Sequence, residues 1–280
     1  MKIMQHPLLS DILRLCRVYG IRPRRKYGQN FIVKRTFLER MVNYADLDDN
    51  DVVLEVGAGF GILTEIMAKK AGKVIAVEKD PKIIKALQDR LRDFNNVEIV
   101  HGDVLKVNLP TYNKVCANPP YSISSKLLFK LLEEKPETII LTLQKEFVDR
   151  LIAAPGTKEY GRISIMVNYK ATVKVLEYVP REYFYPKPKV DSALVEVRAL
   201  REPVVKVADE RFFTLLVREL FTQRNKTLKK ALRLALHNLN ARYEIPASLT
   251  YILSKRIYEL TLEDCALITN ELLSMREYPS

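Results

Sequence analysis

The stretch Asn118-Pro119-Pro120-Tyr121 ends the apolar run KVCA with an amide, two imino acids and an aromatic ring. Consecutive prolines fix two φ angles near −65° and remove two backbone donors, so the segment can neither extend a strand ladder nor enter a helix interior. It must be a stiff turn. Asn118 precedes a proline and is pushed toward extended backbone. Its side-chain carbonyl, its own backbone carbonyl and that of Pro119 are left as acceptors. Rigid acceptors beside an aromatic face suit a flat ligand that carries an amine.

Three other stretches could serve the same ligand. Gly57, Gly59 and Gly61 form a G-x-G-x-G turn within EVGAGFG, and glycines there let the backbone approach a bound molecule. Ile62 occupies the position of the third glycine in a dinucleotide fingerprint, and no Lys-Ser/Thr ending follows, so a phosphate cradle is not indicated. Glu78 lies about 20 residues further on, where a carboxylate can accept from a ribose diol. Asp103, after Gly102, could accept from the exocyclic amine of an adenine. Each feature alone is also ordinary strand-to-helix chemistry. Four in order describe a site for an adenosine that needs no phosphate, next to a pocket for an amine: S-adenosylmethionine beside its methyl acceptor.

Such groups must be held at strand ends. From residue 51 the chain alternates apolar runs of strand length with helix-period segments, the pattern of a doubly wound α/β sheet whose ligands collect at the carboxyl ends of its strands. DVVLEVG, KVIAVEKD, VEIVHGD, KVCANPP and TIILTLQ read as strands. GILTEIMAKKAG, PKIIKALQDRLRDF, SSKLLFKLLEE and KEFVDRLIAA read as helices, the second opened by Asp80 and Pro81. ISIMVNYKATVKVLEYV and SALVEVRAL are expected as late strands around the loop PREYFYPKPKVD. After about residue 205 the pattern becomes helical, with Phe212, Phe213, Leu216, Leu220 and Phe221 as a packing stripe. The expected organisation is a basic arm over 1–30, a catalytic domain over 31–203 and a smaller all-helical domain over 204–280.

The chain has 280 residues and 48% hydrophobic content, enough for a substantial core. Its net charge of +12 is uneven: residues 1–40 carry 10 Lys/Arg against 2 Asp/Glu, residues 41–200 carry 23 against 22, and residues 201–240 carry 9 against 4. A near-neutral centre flanked by basic segments suits a catalytic domain with polyanion-binding surfaces, formed here by Arg22, Arg24, Arg25 and Lys26 and by Lys226, Lys229, Lys230 and Arg233. Nothing approaches a membrane span or a signal peptide, and a soluble, cytoplasmic, monomeric protein is expected. The three cysteines and three histidines do not cluster, so neither a disulfide framework nor a metal site is expected.

The set GQNF (28–31), LEVGAGFG, VEKD, GDV, NPPY, LQKEFVDRL, YGRISIMV and PKPKVDSALV resembles the rRNA adenine dimethyltransferase family, in order and over roughly residues 20–235. That family dimethylates two adjacent adenosines in a hairpin loop near the 3′ end of the small-subunit 16S rRNA. The resemblance implies a Rossmann-like class I methyltransferase fold, S-adenosylmethionine as cofactor, 16S rRNA in the small (30S) ribosomal subunit as partner, and a part in ribosome biogenesis. It implies that Asn30, Ile32, Gly57, Glu78, Asp103 and Asn118 contact the cofactor. Gln29 would position the arm, and Gly59, Gly61 and Val104 belong to the same motifs. Asn118 and Pro119 would accept from the target amine while Tyr121 and Phe184 stack on the base, Phe184 being flanked by Tyr183 and Tyr185. Pro119 stands where relatives usually carry Leu or Ile, and Ser122 where they carry Asn or Gln. Asn-Pro-Pro-Tyr is the form familiar from DNA adenine methyltransferases, which keeps DNA open as the polymer. A ribosome-assembly factor whose methylation is secondary is a second alternative.

Overall fold

The computed structural model describes residues 7–23, 28–239 and 245–275; Arg24, Arg25 and Lys26 lie outside them. In chain order the first elements are α1 (Pro7–Val18), β1 (Phe31–Ile32), α2 (Arg35–Ala45), β2 (Val52–Val56), α3 (Ile62–Ala68) and β3 (Lys73–Glu78). Next come α4 (Pro81–Leu91), β4 (Val97–His101), β5 (Lys114–Ala117), α5 (Ser124–Glu134), β6 (Thr138–Gln144) and α6 (Lys145–Leu151). The chain ends with α7 (Arg162–Lys170), β7 (Ala171–Val179), β8 (Phe184–Tyr185), β9 (Ser192–Ala199), α8 (Glu210–Thr222), α9 (Leu228–Asn238) and α10 (Leu262–Ser274).

The chain divides into two compact units, one of residues 1–148 and 173–199, the other of 149–172 and 200–280. Residues 149–172, which the apolar pattern assigns to the catalytic domain, group with the later residues.

In the first unit seven strands form one sheet in the order β4-β3-β2-β5-β6-β9-β7. β2 pairs in parallel with β3 and β5, β3 with β4, and β5 with β6, while β9 runs antiparallel to β6. β2, β3 and β6 are buried on both faces, which is why VVLEV, KVIAVE and TIILTLQ read as nearly continuous apolar runs, whereas the edge strand β4 is only partly covered. The order reverses between β2 and β5: β3 and β4 extend one way from β2, and the chain returns to add β5 on its other side. A crevice opens at that switch point, at the carboxyl ends of the strands.

Asp80 and Pro81 open α4 as expected, the Asp80 side chain accepting from the Lys82 amide. Within the basic arm, residues 7–18 form a helix: Leu8, Ile12 and Leu15 are buried on one face, Asp11 pairs with Arg90 at 2.6 Å, and the Tyr19 hydroxyl donates to Asp89 at 2.7 Å. One expectation is corrected. The segment ISIMVNYK is helix α7 and not a strand, and the strand begins only at Ala171. α7 buries Ile163, Ile165, Met166, Val167 and Tyr169, so it lacks the polar face that would have revealed its period.

The second unit is helical. Phe213, Leu216, Val217 and Leu220 form the buried stripe of α8, and Phe213 meets the Tyr169 ring of α7 at 4.9 Å between centroids. Arg224 donates to the carbonyls of Thr157, Lys158 and Tyr160 and lies over the Tyr258 ring. Lys226, Lys229, Lys230 and Arg233, on or just before α9, are exposed.

Candidate active site

The crevice at the switch point is a concave, pre-formed cleft of the kind in which small ligands bind. Its walls come from five places: residues 28–31; Val56, Gly57 and Gly59; residues 77–79; residues 102–104; and Asn118, Pro120, Ser122 and Ile123. These are the ends of β2, β3, β4 and β5 and the segment that enters β1.

The turn after β2 is fixed by two backbone bonds, from Gly57 and Ala58 to the Val77 carbonyl. Gly57 and Gly59 take φ of +76° and +56°, conformations that L side chains rarely adopt. Close approach adds to the requirement. A Cβ on Gly57 would stand 3.3 Å from Pro120 Cδ, and one on Gly59 3.1 Å from the Phe31 ring. Gly28, φ +62°, faces the same proline: its Cβ would meet Pro120 Cβ at 2.9 Å.

Glu78, at the end of β3, is 8% exposed. One carboxylate oxygen accepts from the Gly59 amide at 2.9 Å and the other from the Lys79 and Asp80 amides at 2.8 Å. Burial pushes its carboxyl above the usual range, and the three amides pull against that shift. Asp103 accepts from Leu105 N and pairs with Lys79 at 2.9 Å; the Lys79 ammonium holds its carboxyl below the ordinary range. Lys130 of α5 donates to the Val104 carbonyl at 2.8 Å and so ties this loop to the helix below it.

Asn118 Nδ2 donates to the Asn30 carbonyl at 2.9 Å. Its Oδ1 is buried and has no hydrogen-bond partner. A buried acceptor without a donor is costly, on the order of 1–3 kcal/mol, and this one belongs to a wall residue of the crevice. Tyr121, half-buried, shares a 2.6 Å hydrogen bond with Ser192 at the start of β9.

Gln29, Asn30, Gly57, Gly59, Glu78, Asp103, Val104 and Asn118 of the sequence-derived set are thus brought together around one crevice. Others are placed elsewhere. Ile32 lines a smaller side cavity with Glu55, Phe60 and Asn118. Gly61 faces away: a Cβ there would run into Leu87 Cδ1 at 2.7 Å, so its absence of side chain serves the packing of α3 on α4. Pro119 is buried, and neither it nor Tyr121 lines the crevice. Phe184 is 3% exposed and packed in the core, because β8 pairs with β1 and sets it opposite Ile32; its ring presents no face to the crevice. Gly28 and Lys79 line it without having been singled out. Gly28 was visible in GQNF; the reach of Lys79 to Asp103 had no signal in the sequence. Among the described residues no group of His, Cys, Asp and Glu side chains is arranged to hold a metal, and no helix is long and apolar enough to cross a membrane.

The family model for ribosomal RNA adenine dimethylases matches residues 20–272. The chain belongs to that family. Within the dimethylase family it is 40% identical over 263 residues to a Methanothermobacter thermautotrophicus protein named "Probable ribosomal RNA small subunit methyltransferase A", with 92% of this chain and 93% of that one covered. It is 42% identical over 254 residues to the protein of the same name from Pyrococcus furiosus, covering 88% and 90% of the two chains. Among solved structures it is similar to a dimethyladenosine transferase from Plasmodium falciparum, with a TM-score of 0.75, 28% identity and coverage of 85% and 95%. The 23S rRNA methyltransferase ErmE is similar at a TM-score of 0.66 and 27% identity, covering 87% and 99%.

The dimethylase's methyl donor is S-adenosylmethionine, and the crevice fits it. Glu78 and Asp103 border it with carboxylates that can accept from hydroxyls and an amine, Gly57 and Gly59 leave backbone where side chains would intrude, and Asn118 Oδ1 is buried without a donor.

Proposed function

We propose that the protein dimethylates the exocyclic amines of two adjacent adenosines in a hairpin loop near the 3′ end of small-subunit 16S rRNA, as part of small (30S) subunit biogenesis in the cytoplasm, acting as a monomer. The observation that carries this reading is the unpartnered Asn118 Oδ1 at the wall of a crevice built for an adenosine.

When bound, S-adenosylmethionine supplies an activated methyl group. The chain's own residues bind and orient. Glu78 accepts from the ribose hydroxyls and Asp103 from the cofactor's adenine amine, while Gly57 and Gly59 let the backbone lie against the ligand. Asn30 closes the near side. Asn118 Oδ1 accepts an N–H of the target amine, with the Pro119 carbonyl as the second acceptor. Held by both, the nitrogen turns its lone pair out of conjugation with the ring. An amide is too weak a base to keep the proton that the nitrogen sheds, so the proton passes to water. Positioning of this kind supplies several kcal/mol of the barrier. The target base lies outside its own stack, as such bases generally do. Tyr121, held by Ser192, is the ring closest in sequence to the reacting amide, and Phe184 supports the wall from behind.

The test is mass mapping of dimethyladenosine after the protein is incubated with unmodified small subunits and labelled cofactor. Two dimethylated adjacent adenosines are expected. Transfer to duplex DNA instead of the subunit would overturn the choice of polymer.

A further inference from the structure

The segment 28–31 forms one wall of the crevice, yet it precedes the sheet and is joined to the carboxyl-end loops through side chains. One of these side chains does more than its place in the sequence suggests. Asp80, 4% exposed, makes three hydrogen bonds in three directions through its carboxylate and its amide, besides the bonds its carbonyl accepts from Ile83 and Ile84 of α4. Oδ1 accepts from the Lys82 amide at 3.0 Å and caps α4. Oδ2 accepts from Gln29 Nε2 at 2.9 Å, across 51 residues of chain. Its own amide donates to Glu78 Oε1 at 2.8 Å. The cap alone would use one carboxylate oxygen.

We propose that Asp80 is a positioning residue for the cofactor, latching the Gln29 wall segment over the crevice and setting the orientation of the Glu78 carboxylate that faces it. The proposal rests on the reading of the crevice as the S-adenosylmethionine site. The bond from Gln29 ends on an anion that is already fixed by the α4 cap, so the wall segment gains a rigid anchor. The same peptide fixes Glu78, so the wall and the ribose-binding carboxylate are referenced to one point. Cofactor bound between them experiences both.

The experiment is a double-mutant cycle on the full chain, with S-adenosylhomocysteine as the probe in titration calorimetry and thermal unfolding recorded without ligand. Asp80→Ser keeps a cap acceptor but is too short to reach Gln29. Gln29→Leu removes the donor. Asp80→Asn restores the link, because its amide can cap with Oδ1 and donate to a rotated Gln29 amide. Asp80→Ser and Gln29→Leu are each expected to weaken binding about tenfold, the scale of one charge-assisted hydrogen bond. The double variant should be no weaker than either single one, Asp80→Asn should bind within about threefold of the parent chain, and Asp80→Ser should melt within about 2 °C of it. Binding by Asp80→Ser within twofold of the parent, multiplication of the two single effects, or failure of Asp80→Asn to restore affinity would each overturn the proposal while leaving the cofactor site intact. A parent chain that binds no S-adenosylhomocysteine would overturn the crevice reading itself.

Discussion

Asn118 Nδ2 donates to the Asn30 carbonyl at 2.9 Å, joining the turn after β5 to the wall before β1. Because the NH2 end of the amide is engaged there, the oxygen end is the one left without a partner. Asn118→Asp loses the donor and sets a carboxylate oxygen against a carbonyl. It should lower methyl transfer by roughly 10²–10³, the effect of losing one positioned polar group, while retaining measurable cofactor binding. Transfer at near-normal rate in this variant contradicts the assignment, and single-turnover methylation of small subunits measures it.

The Tyr121 hydroxyl and Ser192 lie 2.6 Å apart, which links the reacting turn to β9. Tyr121→Phe and Ser192→Ala each remove this bond, with a stability loss of about 1 kcal/mol. Both are expected to reduce kcat several-fold at unchanged KM for the cofactor, because the bond lies on the acceptor side of Asn118. A rise in cofactor KM with kcat preserved would place the pair on the wrong side of the site.

Glu55 is buried beneath the Gly57–Gly61 turn and accepts from Thr64 Oγ1 at 2.5 Å. Burial pushes its carboxyl up to about 8, with the charge of Glu78 adding in the same direction. Below the ordinary value of 4.5 the group is protonated whether the chain is folded or not. Between there and about 8 the unfolded chain gives up a proton that the folded chain keeps, so stability falls as pH rises, by at most ~1.4 kcal/mol per pH unit. Glu55→Gln keeps an acceptor for Thr64 and cannot titrate. Its melting temperature relative to the parent should climb from pH 5 to pH 8, and a constant difference across that range would show that Glu55 titrates normally.

Gly28 and Gly61 both have φ above +60°, and their surroundings separate them. Gly28→Ala drives a Cβ to 2.9 Å from the ring of Pro120, whereas Gly61→Ala meets the mobile end of Leu87. Each should lose about 1–2 kcal/mol from the backbone conformation. Only Gly28→Ala should also weaken S-adenosylhomocysteine binding, and calorimetry beside thermal melts distinguishes the two.

Lys226, Lys229, Lys230 and Arg233 are exposed. Replacing all four by Ala should weaken RNA binding and flatten its salt dependence, by a slope change of about 0.9 for each phosphate left unneutralised on a duplex and about 0.7 on a single strand. Filter binding between about 50 and 200 mM salt reads this out; an unchanged slope would move the RNA elsewhere.

Strand ends were legible because β2, β3, β5 and β6 are largely buried and announce themselves as apolar runs, and because a turn residue such as Gly57 or Asn118 ends the run. α7 was not legible: ISIMVNYK is buried nearly all round, and a short apolar run without a polar face has no period to read. α1 carried its period in Leu8, Ile12 and Leu15, but the density of arginines that follows makes charge the dominant signal of the segment. Phe184 could not be placed from local pattern at all, since its burial depends on β8 meeting β1 across most of the first unit. Gly61 was drawn into the site by its neighbours in the motif, although its own constraint is the side of α4. Asp80 was recognised as a helix cap, and only the fold reveals that the same carboxylate receives Gln29.

Gly28 and Gly57 stand far apart in the chain but abut the same pyrrolidine ring, that of Pro120. A side chain at either would press on that proline, at 2.9 Å from residue 28 and 3.3 Å from residue 57, and would also have to take a positive φ, so a smaller residue at 120 would lift the first constraint and leave the second. The two glycines are therefore held twice over, by the ring they share and by their own backbone, and should outlast a change at 120.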